Sequence, residues 1–472
     1  MSINMTKGNI GKQITYFALP ILLGLIVQQI YALSDTVIVG QYYGENGISA
    51  IGTTGSISNL IVSLGAGSTA GFAIIIAQKF GSKDYQGLKK SVGNSIVLTI
   101  IIALILTTIA LIFSKVFLNL LLVPTEIFND SLGYINAIYF GIFFVLGYNL
   151  ITSILRSIGD SIFPLIFLCL SAVINIGLDL LFIAVFKFGI PSAGYATIIS
   201  QGISAVVSFI YGFIKFPLIR LKFNDFILEK KEVLLLLGNG LPMGFQYSII
   251  NIGLIAIQRT INGFATREDT SIIASFTFTS KIDGFLVCPF NGLSIAMASF
   301  CGQNYGAKNF ERLKKGIIFT TIIGVFYSFI ATLVIFFFGI KFIPLMVNEQ
   351  EITPNLIYYT SLYFKINPWF FIPLLLILLY RNALQGMGDN IMPLFGGLLE
   401  LVSRVGIAIG LPFLFGYYAL YISNPVTWIL TSILFTIRLI FFMKRVKIKF
   451  ERDLIEEGLL NETKPSSLDY HF

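Results

Sequence analysis

Charge is what this chain has least of. Asp, Glu, Lys and Arg make up 12% of its 472 residues, against about a quarter in a soluble domain. With 56% hydrophobic residues and a mean hydropathy of +0.84, too little polar surface remains to cover a water-soluble core of this size. Histidine is almost missing: His471, the single copy, stands one residue from the end. That excludes a His-ligated metal and a His-driven catalyst. The three cysteines, Cys169, Cys288 and Cys301, have neither metal-ligand nor disulfide spacing. No HExxH motif is present, which weighs against a membrane-embedded metalloenzyme. Short alternating strands, the mark of a transmembrane barrel, are absent too. The opening MSINMTKGNIGKQ is polar and lacks a short apolar run with a small-residue cleavage site. The first apolar stretch is therefore expected to stay as a span.

What the chain does have is long apolar runs, among them 96–113, 135–155, 163–186 and 316–340. Each approaches the roughly 20 residues a helix needs to cross a bilayer. In lipid the backbone must satisfy its own polar groups, which helices do and open sheets do not. The pattern predicts an all-α membrane protein with twelve spans, near 14–39, 48–79, 91–114, 131–157, 162–187, 191–216, 233–261, 270–301, 315–340, 355–382, 391–415 and 417–443. Placing the N-terminus in the cytoplasm puts 23 of the 32 Lys and Arg on the inside, Arg156 and Arg381 among them, and only Lys115, Lys187, Arg267 and Lys341 outside. This asymmetry predicts that both termini are cytoplasmic. It also accounts for the net charge of +8 without a nucleic-acid partner.

The two halves repeat. Gln78-Lys-Phe-Gly-Ser-Lys-Asp-Tyr-Gln-Gly-Leu-Lys-Lys90 aligns with Gln303-Asn-Tyr-Gly-Ala-Lys-Asn-Phe-Glu-Arg-Leu-Lys-Lys315. Leu19-Pro20 pairs with Leu241-Pro242, and Gly159-Asp160 with Gly388-Asp389. Six spans per half give the halves the same orientation, a parallel repeat typical of alternating-access carriers. The expected division is an N-terminal segment (1–13), an N-lobe (14–216), a linker (217–232), a C-lobe (233–443) and a tail (444–472). A channel would more often rely on oligomeric symmetry around a selectivity element.

Charges inside spans are costly and usually functional. In the N-lobe only Asp35 and Asp179 fall within spans, and no Lys or Arg lies deep in the first six spans to neutralise them. Such a pair is expected to bind protons or metal cations. Asn175 and Asp179 are spaced i, i+4, and so are Ala193 and Thr197; Gln28 and Asp35 are seven apart. Each pair therefore shares a helix face. Tyr134 opens span 4 at a similar depth. Na⁺ would find oxygens at Asp35, Asn175, Asp179 and Thr197. Pro20 weakens span 1 and could make it a switch. In the C-lobe, Lys281, Asp283, Glu400 and Arg404 read as one charge-compensated network, structural or conformational. Gly65-Ala-Gly67 and Gly71 suggest close helix packing.

These motifs resemble the multidrug and toxic compound extrusion (MATE) family, in its bacterial DinF-like branch. The residues that carry the likeness are Ala18-Leu-Pro20, Gln28 through Asp35-Thr-Val-Ile-Val-Gly40, the repeated Gln-to-Lys loops, Arg156-Ser-Ile-Gly-Asp160, Asn175-Ile-Gly-Leu-Asp179 and Lys281-Ile-Asp283. The resemblance implies twelve helices in two lobes. It also implies export of cationic or amphipathic organic compounds, driven by inward H⁺ or Na⁺, across the bacterial inner membrane. It assigns the cation site to Asp35, Asn175 and Asp179 with Thr197 and the Ala193 carbonyl, and it gives Tyr134 and Gln28 supporting roles. Pro20 becomes the bending point, and Thr152 stands where some relatives have an asparagine. The expected protein is a monomeric carrier in contact with lipid, with no enzymatic activity and no cofactor beyond its coupling ion. The competing reading is a flippase for a lipid-linked oligosaccharide or peptidoglycan precursor. An acidic N-lobe interior disfavours such an anionic cargo.

Overall fold

The computed structural model describes residues 3–121, 123–264, 271–345 and 352–456. Among them the backbone is almost entirely helical, with no strand. Eleven helices are long and apolar enough to span, and a bent pair makes the twelfth. They are α1 (Ile10–Gly44), α2 (Ser49–Gly81), α3 (Tyr85–Leu120), α4 (Thr125–Phe140 and Ile142–Ser157, bent by 45°), α5 (Ile162–Val185) and α6 (Pro191–Lys215) in the first half. In the second half come α7 (Lys230–Ile261), α8 (Ser271–Gly306), α9 (Phe310–Pro344), α10 (Pro354–Gly386), α11 (Ile391–Gly410) and α12 (Tyr418–Glu456). Most run past the expected apolar core, because a helix continues beyond the lipid wherever its ends find partners. Residues 444–456, expected in the tail, continue α12 and dock on the C-lobe. There Phe450 packs on Tyr305, with ring centroids 5.3 Å apart, and Lys308 meets Asp453 at 3.3 Å. Arg267, the Asn461-Glu-Thr463 sequence and His471 lie outside the described residues.

The repeated loop motif has a local physical cause. Lys83 and Lys308, at equivalent positions, both adopt the left-handed conformation (φ 61° and 54°) that ends the preceding helix. The next residue starts the following one: Asp84 accepts a hydrogen bond from Gly87 N at 2.9 Å, and Asn309 accepts from Arg312 N at 3.1 Å. Both are N-caps, which is why Asp and Asn alternate there. Gly159 and Gly388 likewise match, with φ of 92° and 94°, a conformation that favours glycine. The linker is not loose. Asn94 on α3 donates to the carbonyls of Asp225 and Ile227, and Lys79 at the end of α2 pairs with Glu232 at 2.8 Å.

The halves meet along a seam of small residues. A Cβ added to Gly71 would lie 2.6 Å from Gly240 Cα, and one on Gly67 would lie 2.6 Å from the Met243 carbonyl. Backbone therefore touches backbone between α2 and α7, the packing that small residues permit within membranes. At the end of the bundle where residues 3–8 and the last turns of α12 lie, the repeat makes a reciprocal clasp. Gln78 Nε2 donates to the Gly386 carbonyl of the C-lobe, and Gln303 Nε2 donates to the Ser157 carbonyl of the N-lobe, each at 2.9 Å. The segment before α1 threads across this clasp. Ile3 N bonds the Gly159 carbonyl at 2.7 Å, Met5 N bonds Gln303 Oε1 at 2.9 Å, and Arg312 bonds the Met5 and Gly8 carbonyls.

Replacing Gly71 by Leu inserts a side chain where the lobes have no room. It is expected to cost about 1–3 kcal/mol and to lower the melting temperature in detergent. Gly406→Ala on α11, where an added Cβ meets nothing within 4 Å, is expected to leave it unchanged or raised. An unaltered melting temperature for Gly71→Leu would show that the seam yields.

Candidate functional site

Asp35, Asn175, Asp179, Thr197 and Ala193, drawn from three separate spans, converge inside the N-lobe. Asn175 and Asp179 are fully buried, and Asp35 is half-buried. With its amide nitrogen facing the carboxylates, the orientation that satisfies every partner, Asn175 donates to Asp35 Oδ1 at 2.7 Å and to Asp179 Oδ2 at 3.2 Å. Its oxygen then accepts from Thr197 N at 3.3 Å. The two carboxyl groups are themselves close enough to share a hydrogen bond. Asp179 Oδ1 has no donor, and no Lys or Arg among the described residues pairs with either acid. The Thr197 hydroxyl donates to the Ala193 carbonyl at 3.1 Å, so these two oxygens sit side by side.

Local structure explains the convergence. Asp160 accepts from Ile162 N and Phe163 N and so caps the first turn of α5. Three turns later Asn175 and Asp179 share the buried face. Directly after Asp179, the helix opens into a π-helical turn, Leu180–Val185. Such turns are rare and gather at functional sites, because they leave backbone groups less tightly held. Pro191 begins α6 at its first turn, placing Ala193 and Thr197 one turn apart facing α5. Tyr134 stands within the electrostatic reach of both acids. One member escaped the sequence reading: the Tyr31 hydroxyl bonds Thr197 Oγ1 at 3.3 Å. Tyr31 precedes Asp35 by four residues on the same helix face, and that spacing would have found it.

Gln28 and Pro20 do not join this cluster. Gln28 lines a cavity of about 340 Å³ between the lobes, walled by α1, α2, α4, α5, α7, α8 and α10. Pro20 lines a smaller void of about 30 Å³ beside it, and α1 continues as helix through that position. Thr152 and Asn149 also face the large cavity. So does Arg156, counted with the cytoplasmic-side cations at the end of the fourth expected span; it belongs to the last turn of α4 and sits half-buried.

The four C-lobe charges divide instead of forming one network. Glu400 meets Arg404 Nη2 at 3.4 Å, the expected i, i+4 pair, and a second guanidinium, Arg381 Nη1, at 3.6 Å. All three are buried, and Arg381 is also held by the Gln246 amide oxygen at 3.1 Å. Arg381 was counted with the cytoplasmic-side cations at the end of the tenth expected span, but α10 runs on to Gly386 and places it inside the lobe. Asp283 instead accepts a short hydrogen bond from Tyr363. Lys281 is exposed and pairs with none of them. Among the described residues no three His, Cys, Asp or Glu converge as a transition-metal site requires.

Comparison with known proteins agrees with this architecture. The MatE family model matches twice, over residues 20–181 and 242–409, once in each half. The chain is 28% identical over 352 residues to "Probable multidrug resistance protein YpnP" of Bacillus subtilis, covering 74% of this chain and 77% of that protein. It is 22% identical over 457 residues to "Probable multidrug resistance protein NorM" of Thermotoga maritima, covering 92% of each. In three dimensions it is similar to a MOP superfamily transporter from Pyrococcus furiosus, with a TM-score of 0.86 at 21% identity, over 94% of this chain and 98% of that one. Two matching halves, twelve spans and bacterial multidrug-resistance relatives lead to one conclusion: the chain belongs to the MatE family of multidrug and toxic compound extrusion transporters, in its bacterial branch.

Proposed function

We propose that this protein is a cation-coupled antiporter that exports amphipathic organic compounds across the bacterial cytoplasmic membrane by alternating access. It works as a monomer with both termini in the cytoplasm and performs no catalytic chemistry. The observation that carries the reading is the pair Asp35 and Asp179, bridged by one amide and left without a cationic partner among the described residues. Two carboxylates held this close in a low dielectric require a proton between them or a cation beside them. The Asn175 amide serves both states: its NH₂ satisfies the ionised pair, and a half-turn presents its oxygen as a ligand. With Thr197 Oγ1 and the Ala193 carbonyl alongside, the oxygens suit Na⁺ as well as H⁺. No other cofactor is called for.

The site and the cavity are distinct places on one helix. Asp35 lies two turns beyond Gln28, roughly 10 Å along the axis at 1.5 Å per residue. Cation and cargo therefore communicate through the position of α1, which also carries Pro20. The C-lobe cluster of Arg381, Glu400 and Arg404 acts as a structural tie between α10 and α11, compensated internally and taking no coupling ion.

Reconstituted into proteoliposomes, the wild type is expected to drive efflux of a fluorescent amphiphile under an imposed H⁺ or Na⁺ gradient. Asp35→Asn and Asp179→Asn are each expected to reduce it about tenfold or more, with the melting temperature retained. Normal coupled efflux in both variants would sink the assignment. Glu400→Ala leaves two buried guanidinium groups unpaired, a loss of about 3 kcal/mol or more. It is expected to appear as a lowered melting temperature with the same coupling ion; intact stability with altered ion selectivity would contradict the structural role.

A further inference from the structure

The inter-lobe cavity has the wrong polarity for an organic cation. Its wall is mostly apolar, with Leu25, Ile74, Leu168, Met243 and Ile295, and its polar groups are amides and hydroxyls. The cavity lining includes no Asp or Glu. It does include one guanidinium, Arg156, for which no hydrogen bond or ion pair is formed among the described residues, its Nε having no acceptor at all. The carboxylate one turn further on, Asp160, is engaged elsewhere: it caps α5 and receives the Tyr211 hydroxyl at 3.5 Å. The acids of the cation site do not reach the cavity, since neither Asp35 nor Asp179 lines it. The equivalent position in the C-lobe repeat is Gln385, a neutral amide beside Gln246, so the charge is unmatched across the pseudo-symmetry as well.

An unpaired guanidinium between apolar walls is expensive to keep. Its cost falls when an anion enters, and a planar fork of N–H donors suits a carboxylate, sulfonate or phosphate oxygen pair. The cavity volume falls within the usual range for a small-molecule site. Asn149 and Ser153 on α4 and Asn382 on α10 give the same cavity neutral polar groups. We infer that the cargo of this cavity is an amphipathic organic anion, its acidic group held by Arg156 and its apolar body packed against the α1, α5, α7 and α8 side chains. The cargo class rests on the exporter reading above but departs from the organic cation that sequence resemblance suggested.

The test uses three fluorescent probes with one aromatic body and different charge: pyrenebutyrate, pyrenebutanol and pyrenebutylamine. Binding to the purified full-length protein is expected to favour pyrenebutyrate over the amine by about tenfold or more, the worth of a charge-assisted hydrogen bond. Arg156→Gln is expected to erase that preference at unchanged melting temperature, and Arg156→Lys to keep most of it. Should Arg156→Gln fail to fold, the ranking of the three probes by the wild type decides alone. Equal or tighter binding of the amine, or a preference that survives in Arg156→Gln, overturns the inference. Gradient-driven efflux separates the two readings. If the amine is moved in an Asp35-dependent way and pyrenebutyrate is ignored, the exporter stands and the anionic cargo falls. If pyrenebutyrate binds through Arg156 but no gradient moves it, the cargo assignment stands and the coupled exporter falls.

Discussion

Two carboxylates with no counter-charge, held inside a bundle of apolar helices, are the constraint around which the N-lobe is built. Left ionised and empty, the pair is unfavourable by several kcal/mol in any low-dielectric setting. The surrounding structure reads as a set of devices for tolerating it. Asn175 spans both acids, the Thr197 backbone N–H holds the amide oxygen, Tyr31 bonds the Thr197 hydroxyl, and a π-turn follows directly after Asp179. None of these devices removes the charge. Under the proposed function a cation would supply the missing counter-charge, and a site stable only when loaded is what coupling requires.

The proposed coupling would also need two arrangements of the lobes, and the seam is compatible with their rearrangement. Between α2 and α7 the contact is glycine on glycine, so the lobes approach closely with few side chains to disentangle. At the clasp face the contacts are of another kind: a few specific hydrogen bonds from Gln78, Gln303 and Arg312. Hydrogen bonds of this sort are each worth about 1 kcal/mol net. A handful can be exchanged for others at a price comparable to the free energy of binding one ion. The same face holds the segment from Ile3 to Gly8 between the lobes, so the end of α1 is tied to the state of the clasp. Asp35 sits on that same helix, which under the proposed function would link ion and gate.

How much of this was legible beforehand depended on whether a feature is local. Spans and repeat were readable because apolar run length and loop motifs are local properties; the caps at Asp84 and Asn309 even explain why the loop motif recurs. The acid pair was readable because a charge in a span is conspicuous, and Asn175 and Thr197 followed from i, i+4 spacing. Depth within the last turn of a span was not readable. Arg156 and Arg381 were counted with the cytoplasmic-side cations at the ends of their spans, and both face the interior. Nor could spacing reveal that Lys281 turns outward while Asp283 finds Tyr363 on another helix. Helix rotation is set by packing between spans, and no sequence period records it.

The two inward-facing arginines change the electrostatic account of the molecule. Sequence alone gave an acidic N-lobe interior and hence argued against an anionic cargo. The structure separates two compartments that the sequence merged: an acidic one near Asp35 and Asp179, and a cavity whose one charged group among the described residues is the Arg156 guanidinium. Each compartment asks for the opposite ion. A cation at the first and an anion in the second need not compete for one set of ligands, as they would if both used the acids. With separate ligands, exchange has to be enforced through a conformational preference, the cation and the cargo each favouring a different position of α1. By linkage such a preference is reciprocal, so the affinity of the cavity for its cargo must itself change when Asp35 and Asp179 are loaded.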